Sequence, residues 1–401
     1  MSEESLAAAA SCRAGETEPG GPPPLRGILS RAAIASALLF CSMAPLAPAQ
    51  QPDHDAAPVE SLLLKDYRPR SIYRVPRTEI AKARFPVIDM HSHPYARSAE
   101  QVDRWVRTMD ELGIEKTIVM TGASGERFEA YAELFAGHPG RFSLWCGFDY
   151  RGFDEPGYGP AAVAALERCA AAGGAGVGEL SDKGRGLRGG RRDAQNPDAW
   201  GMHVDDPRLD PLFEKCAELG LPVNVHVGEP IWMYQPMDEH NDGLMNAFDW
   251  RLDDQPGILG HADVVATLDR ALARHPGTTF IACHLANSSY DLSILGKMLD
   301  EHPNLYTDIG ARYAEFAPIP RHVARFFERH QDRLLYGTDM GFERDMYLTT
   351  FRILETEDEH FYDFERFDYH WPLHGLGLGD EVLRKLYAEN ARGILARRRP
   401  R

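Results

Sequence analysis

The chain has 401 residues, of which 43% are hydrophobic and 26% charged, with a formal net charge of −16 at pH 7. These are the proportions of a globular protein long enough to bury a core, which excludes wholesale disorder. The acid surplus argues against nucleic acid as a partner, because phosphate binding needs a basic face.

In chain order, the first segment is different in kind from the rest. After an acidic, Gly/Pro-rich stretch, Arg26 and Arg31 precede a short apolar run, and Ala47-Pro48-Ala49 closes it before Gln50. Residues 1–49 therefore resemble a secretory signal peptide with an A-x-A cleavage site, and the expected location is the periplasm or the exterior. The apolar run is too short for a stable membrane span. Residues 50–84 read as a linker or N-terminal extension, and residues 85–401 as one domain. Two of the six cysteines, Cys12 and Cys41, fall in the leader. The other four, Cys146, Cys169, Cys216 and Cys283, stand singly on apolar stretches without a C-x-x-C pair. They read as buried free thiols, although an exported protein could oxidise two that lay close.

From Pro86 onward, short β-type runs recur: "PVIDMHSH", "KTIVMTG", "RFSLWCGF", "AGVGEL", "PVNVHVGEP", "TTFIACHLAN", "NLYTDIG" and "RLLYGTDM". Between them lie helical stretches such as 100–112, 161–172, 209–219, 264–274 and 292–301. "ELG" at Glu111 and Glu218 places a glycine where a helix would stop, and the "HP" pairs at His138, His275 and His302 read as helix ends rather than ligands. Eight apolar strands alternating with helices predict an α/β fold, a (β/α)8 TIM barrel with loop insertions after strands 4 and 5. An open doubly wound sheet is the alternative, but no Gly-rich phosphate loop follows the first strand.

In such a barrel all strands end at one rim, so strand ends are the places to look for chemistry. They supply His91 and His93, Glu179, His226, His284 and Asp339. Residues i and i+2 of a strand share a face, so His91 and His93 can hold one ion while Ser92 turns away. Imidazole and carboxylate suit zinc and similar divalent ions. Glu179 could instead pair with Lys183 or Arg185. His240, His261, His370 and His374 hold no strand-end position and read as surface or loop residues.

Together, "DMHSH", "VGEL", "PVNVHVGEP", "CHLAN" and "YGTDMGF" resemble the amidohydrolase superfamily, specifically its metal-dependent TIM-barrel hydrolases of the amidohydrolase-2 type, a group that also contains decarboxylases. The resemblance implies that His91, His93, His226 and Asp339 bind Zn2+ or another divalent ion. Asp339 would also handle the proton of the attacking water, and His284 would polarise the substrate or help with protons, or be a ligand if there are two ions. It leaves Glu179 as a ligand to a second ion, should there be one.

Insertions at the same rim should choose a small-molecule substrate. Arg185, Arg188, Arg191 and Arg192 would suit a carboxylate, or form a solvated loop. Trp232, Met233 and Tyr234 could wall the site or pack their loop onto the barrel. Arg312, Tyr313 and Arg344 are further candidates. The expected activity is hydrolysis of an amide, ester or lactone by water activated on the ion. Non-oxidative decarboxylation on the same site and a non-catalytic binding barrel are the alternatives, and a homo-oligomer is compatible with all three.

Overall fold

The computed structural model describes residues 58–189 and 196–397, all within a unit spanning Pro58–Arg401. The proposed leader 1–49, the linker up to residue 57, and Arg191 and Arg192 lie outside the described residues. Eight parallel strands follow one another: β1 (Val87–Ser92), β2 (Ile114–Met120), β3 (Phe142–Trp145), β4 (Val177–Asp182), β5 (Val223–Val227), β6 (Phe280–Ala282), β7 (Leu305–Asp308) and β8 (Leu334–Leu335). Pairing runs without interruption from β1 to β3 and from β4 to β8.

Two seams close the ring. Between β3 and β4, Cys146 pairs in parallel with Val177, with Cys146 N donating to Gly176 O at 2.9 Å. Between β8 and β1, Met90 N donates to Tyr336 O at 2.9 Å. The expected (β/α)8 barrel is therefore what the chain forms. β1 and β5 are buried at every position, which explains their unbroken apolar character.

The helices pack outside: α1 (Ala99–Leu112), α2 (Gly125–Phe135), α3 (Tyr158–Ala171), α4 (Asp210–Leu219), α5 (His261–Arg274), α6 (Leu292–Glu301), α7 (Pro320–Arg329) and α8 (Arg344–Glu355). α1 shows why these sequences are helical. Ser98 caps its first turn by accepting from Gln101 N, and Val102, Trp105, Val106, Met109 and Leu112 form the buried stripe. Gly113 then ends the helix at φ 81°, and Gly220 ends α4 at φ 67°, as the "ELG" pattern predicts. His138, His275 and His302 all lie at helix ends, each paired with an aspartate, Asp103, Asp210 and Asp269 respectively.

Both expected insertions are present. After β4 the chain makes a small antiparallel ribbon, Gly186–Leu187 with Ala199–Trp200, and after β5 it makes short turns around Ile231–Tyr234 and Leu244–Trp250. A third excursion, residues 356–379 after α8, was not expected from sequence. It is fastened by a bridge between Phe361 and Leu373 and carries aromatic residues over the rim. No helix among the described residues is long and apolar enough to cross a membrane.

The cysteine reading is half right. Cys216 and Cys283 are free and buried, but Cys146 and Cys169 form a disulfide joining the end of β3 to α3. The fold brings these two together across 23 positions of sequence, a separation that no local spacing signals.

Candidate active site

The strand ends do converge. His91, His93 and Asp339 place one ligand atom each within 4.8 Å of one another, and so do His91, Glu179, Cys283 and His284. Oriented rings explain how. His91 Nδ1 bonds Asp308 at 2.9 Å, His93 Nδ1 bonds Met120 O at 3.1 Å, and His284 Nδ1 bonds Gly310 O at 2.8 Å. Each of these rings thereby turns Nε2 inward, where His93 Nε2 lies 3.2 Å from Asp339 and His284 Nε2 lies 3.5 Å from Glu179. His226 is reversed. Its Nε2 bonds Gly228 O at 2.8 Å, and Nδ1 faces Glu179 at 2.5 Å. In every case one ring nitrogen is tied to the protein, which fixes the tautomer and leaves a lone pair for the centre.

Two backbone devices aim the last residues. His284, Leu285, Ala286 and Asn287 form a left-handed turn, with φ between 52° and 60°. Asp339 also adopts φ 52°, while its N–H donates to His91 O at 2.9 Å across the β8–β1 seam. Left-handed backbone costs energy for any residue with a side chain, and it is found where function demands a particular direction.

Electrostatics agree with a cation-binding cluster. Burial alone would lower the pKa of His91, but Asp308, Asp339 and Glu179 outweigh it and raise it to about 9. His93 is driven up by the same opposition of burial and the carboxylates of Asp339 and Glu179. Asp339 and Glu179 are correspondingly held below the ordinary carboxylate range by the imidazoles, despite burial. His226 goes the other way, to about 3, because desolvation dominates. The cluster thus combines ionised carboxylates with His91 Nε2, a buried nitrogen that has no hydrogen-bond partner among the described residues. An orphaned imidazole nitrogen among carboxylates is what a divalent cation satisfies, so the residues present fit a metal ion.

Sequence reasoning missed three residues here. Asp308, at the end of β7, is fully buried and touches His91, Asn224, and the backbone of His284 and Gly310. The strand-end rule could have found it in "TDIG". Glu229, in "GEP" after β5, pairs with Lys183 and lies 3.4 Å from Arg312. Tyr95 donates its hydroxyl to Asp339 at 3.1 Å. Glu179 therefore pairs with neither Lys183 nor Arg185 in the way first considered: Lys183 is taken by Glu229, and Glu179 faces the histidines.

Above the cluster opens a cavity of about 570 Å³. Of the substrate candidates, Arg188, Arg312 and Met233 line it. Four others do not. Arg185 is exposed on the ribbon. Trp232 packs against Tyr369 and Trp371, behind the wall, and Tyr234 bonds the Lys183 carbonyl. Arg344 opens α8 and pairs with Glu111 at 2.5 Å on the surface. Tyr313 is buried in the core, bonded to Gly337 O. The reason is common to all: nearness to a strand end in sequence does not fix which way a loop side chain leaves. His261 needs a similar correction, being buried at the start of α5 with Nε2 bonded to Asn287 O. The excursion 356–379 supplies Arg366, Phe367, Asp368 and Tyr369 to the cavity wall.

A closed parallel barrel with histidines and carboxylates gathered at its carboxyl rim defines a class, the metal-dependent TIM-barrel enzymes. A family model described as amidohydrolase matches residues 74–397, and the chain belongs to that family. No curated protein matches it. Among solved structures, a Staphylococcus aureus protein assigned as an amidohydrolase is similar at 17% identity and a TM-score of 0.50, covering 78% of this chain and 100% of that one. A 2,6-dihydroxybenzoate decarboxylase from Rhizobium is similar at 16% identity and a TM-score of 0.47, covering 78% and 99%. A dihydroorotase from Campylobacter jejuni is similar at 12% identity and a TM-score of 0.46, covering 81% and 87%.

Proposed function

We propose that this chain is an exported metal-dependent hydrolase of small amides, esters or lactones that carry a carboxylate. The observation that carries the reading is the convergence of His91, His93 and Asp339 beside Glu179, which His226 Nδ1 faces, around a His91 Nε2 that has no hydrogen-bond partner among the described residues. His91, His93, His226 and Asp339 would hold one ion, zinc by the chemistry of the donor set, and Glu179 would serve a second. A divalent ion in such a site supplies Lewis acidity and makes water nucleophilic near neutral pH.

The chain's own residues do the rest. Asp339, kept ionised by His91 and His93, accepts a proton from water and later returns it to the leaving group. The Tyr95 hydroxyl holds that carboxylate in place. His284, anchored through Nδ1, turns Nε2 towards developing charge on the substrate oxygen. Arg188, whose guanidinium has no carboxylate partner among the described residues, offers the mouth of the cavity a cation for the substrate's carboxylate. Export is supported by the Cys146–Cys169 disulfide, since such bonds persist in oxidising compartments.

Decarboxylation is the second reading, favoured by the same arginine. The two separate when the metal-loaded protein is offered a library of carboxylic acid amides, esters and lactones beside hydroxybenzoic acids. Hydrolytic products are expected, and carbon dioxide release without them would overturn the first reading. Asp339→Asn should cut turnover by about a thousandfold or more while keeping the fold, because asparagine tolerates the left-handed backbone at that position.

A further inference from the structure

Residues 58–77 lie largely outside the span matched by the family model, and nothing in the catalytic reading uses them. They form an arm with two short turns, Val59–Ser61 and Leu64–Asp66, and then no regular structure up to Arg77. Its apolar side chains face outward: Val59 is 76% exposed, Leu62 51%, Leu63 56% and Ile72 84%. A cluster of large apolar residues with this exposure marks an interaction surface rather than chance.

One side of the arm is already fastened. Thr78, at its root, donates to Asp358 at 2.7 Å, and Tyr73 packs edge-on to His360 at 4.7 Å. Arg68 lies over the Phe364 ring at 5.1 Å and 3.9 Å from Asp368. The arm is thus held in place while its apolar side stays open.

We propose that this arm docks on a second copy of the chain, each copy's arm lying on the other's barrel. Charge selects the partner. The arm carries Lys65, Arg68, Arg70, Arg74 and Arg77 against only Glu60 and Asp66, whereas the whole chain has a net charge of −16. A second copy, with its net acid surplus, therefore attracts the basic arm. Backbone chemistry points to a protein rather than a lipid surface. Among the described residues, 68–77 make no backbone–backbone hydrogen bond. Polar groups on a protein surface can satisfy those groups, and hydrocarbon cannot. A two-fold pair buries the same apolar surface twice and closes without forming a filament. Docking also bears on the active site, since Asp368, beside Arg68, is part of the cavity wall.

The test is sedimentation of the purified chain over a micromolar dilution series, beside the double variant Leu63→Asp/Ile72→Asp. Both positions are exposed, so the variant should fold, which far-ultraviolet circular dichroism and bound metal content check independently. The wild type is expected to sediment at twice the monomer mass, and the variant at the monomer mass with unchanged spectrum and metal. A monomeric wild type would overturn the proposal, as would a folded variant that keeps the doubled mass. Should the variant lose its spectrum, Arg70→Glu/Arg74→Glu replaces it, with the same readings. A wild type that binds vesicles of phosphatidylcholine and phosphatidylglycerol as a monomer also counts against it.

Discussion

Asp308 and Arg312 show how much of the site rests on residues that would touch no substrate bond. Asp308 fixes the His91 tautomer by accepting from Nδ1, and it also receives the His284 backbone N–H at 3.2 Å. Such partners of metal-binding histidines typically govern affinity by about 10–100-fold. Asp308→Asn should weaken metal binding within that range, read by competition with a chelator, without displacing the other ligands. Unchanged affinity would show that His91 is oriented by something else. Arg312 is buried with Asn287, Glu229 and Glu315, and removing it leaves the Asn287 amide oxygen without its donor and the buried Glu315 carboxylate without its cation, while Glu229 keeps Lys183. Breaking a buried pair in this way costs about 3–5 kcal/mol. Arg312→Met should lower unfolding free energy by that order in a denaturant titration, and a change under about 1 kcal/mol would contradict the geometry.

Among the elements, the left-handed turn after β6 is the most demanding piece of backbone. In a left-handed helix each residue costs about 1–2 kcal/mol, and this turn has four in a row. Asn287 holds it closed, donating from Nδ2 to Val227 O at 3.0 Å and Gly228 O at 3.1 Å while accepting from Arg312. Asn287→Ala releases all of these, and its expected cost is about 3 kcal/mol, with His284 losing its aim. The paired readout is turnover, which should fall more than metal content does. "CHLAN" identifies the histidine, but no propensity scale reads four successive left-handed residues from it, because contacts to segments remote in the chain stabilise them. The excursion 356–379 was illegible for a related reason: its residues Glu357, Asp358, Asp363 and Glu365 read as a solvated loop, yet Tyr369 lines the cavity with Trp371 stacked on it at 4.4 Å.

For the whole molecule, closure of the barrel is the decisive event. The Cys146–Cys169 bond sits beside the β3–β4 seam, where Cys146 pairs with Val177 and its N–H donates to Gly176 O. A disulfide enclosing a loop of this length contributes about 2–4 kcal/mol. Cys146→Ala/Cys169→Ala should therefore melt earlier than the oxidised chain, and reduction of the wild type should reproduce the shift. Equal melting of all three would mean that the bond is not formed in solution.

Taken alone, the order of residues determined the barrel, the rim and the identities of the candidate ligands. These follow from local rules: apolar runs of strand length, glycines at helix ends, and the two-residue period that sets His91 and His93 on one face. Only the tertiary structure decided which ring nitrogen faces the centre, that Asp308 stands behind His91 from 217 positions away, that two lone cysteines meet, and that Arg344 leaves the site while Arg312 enters it. Each of those outcomes depends on contacts between segments remote in the chain, and a period or a propensity carries no information about them.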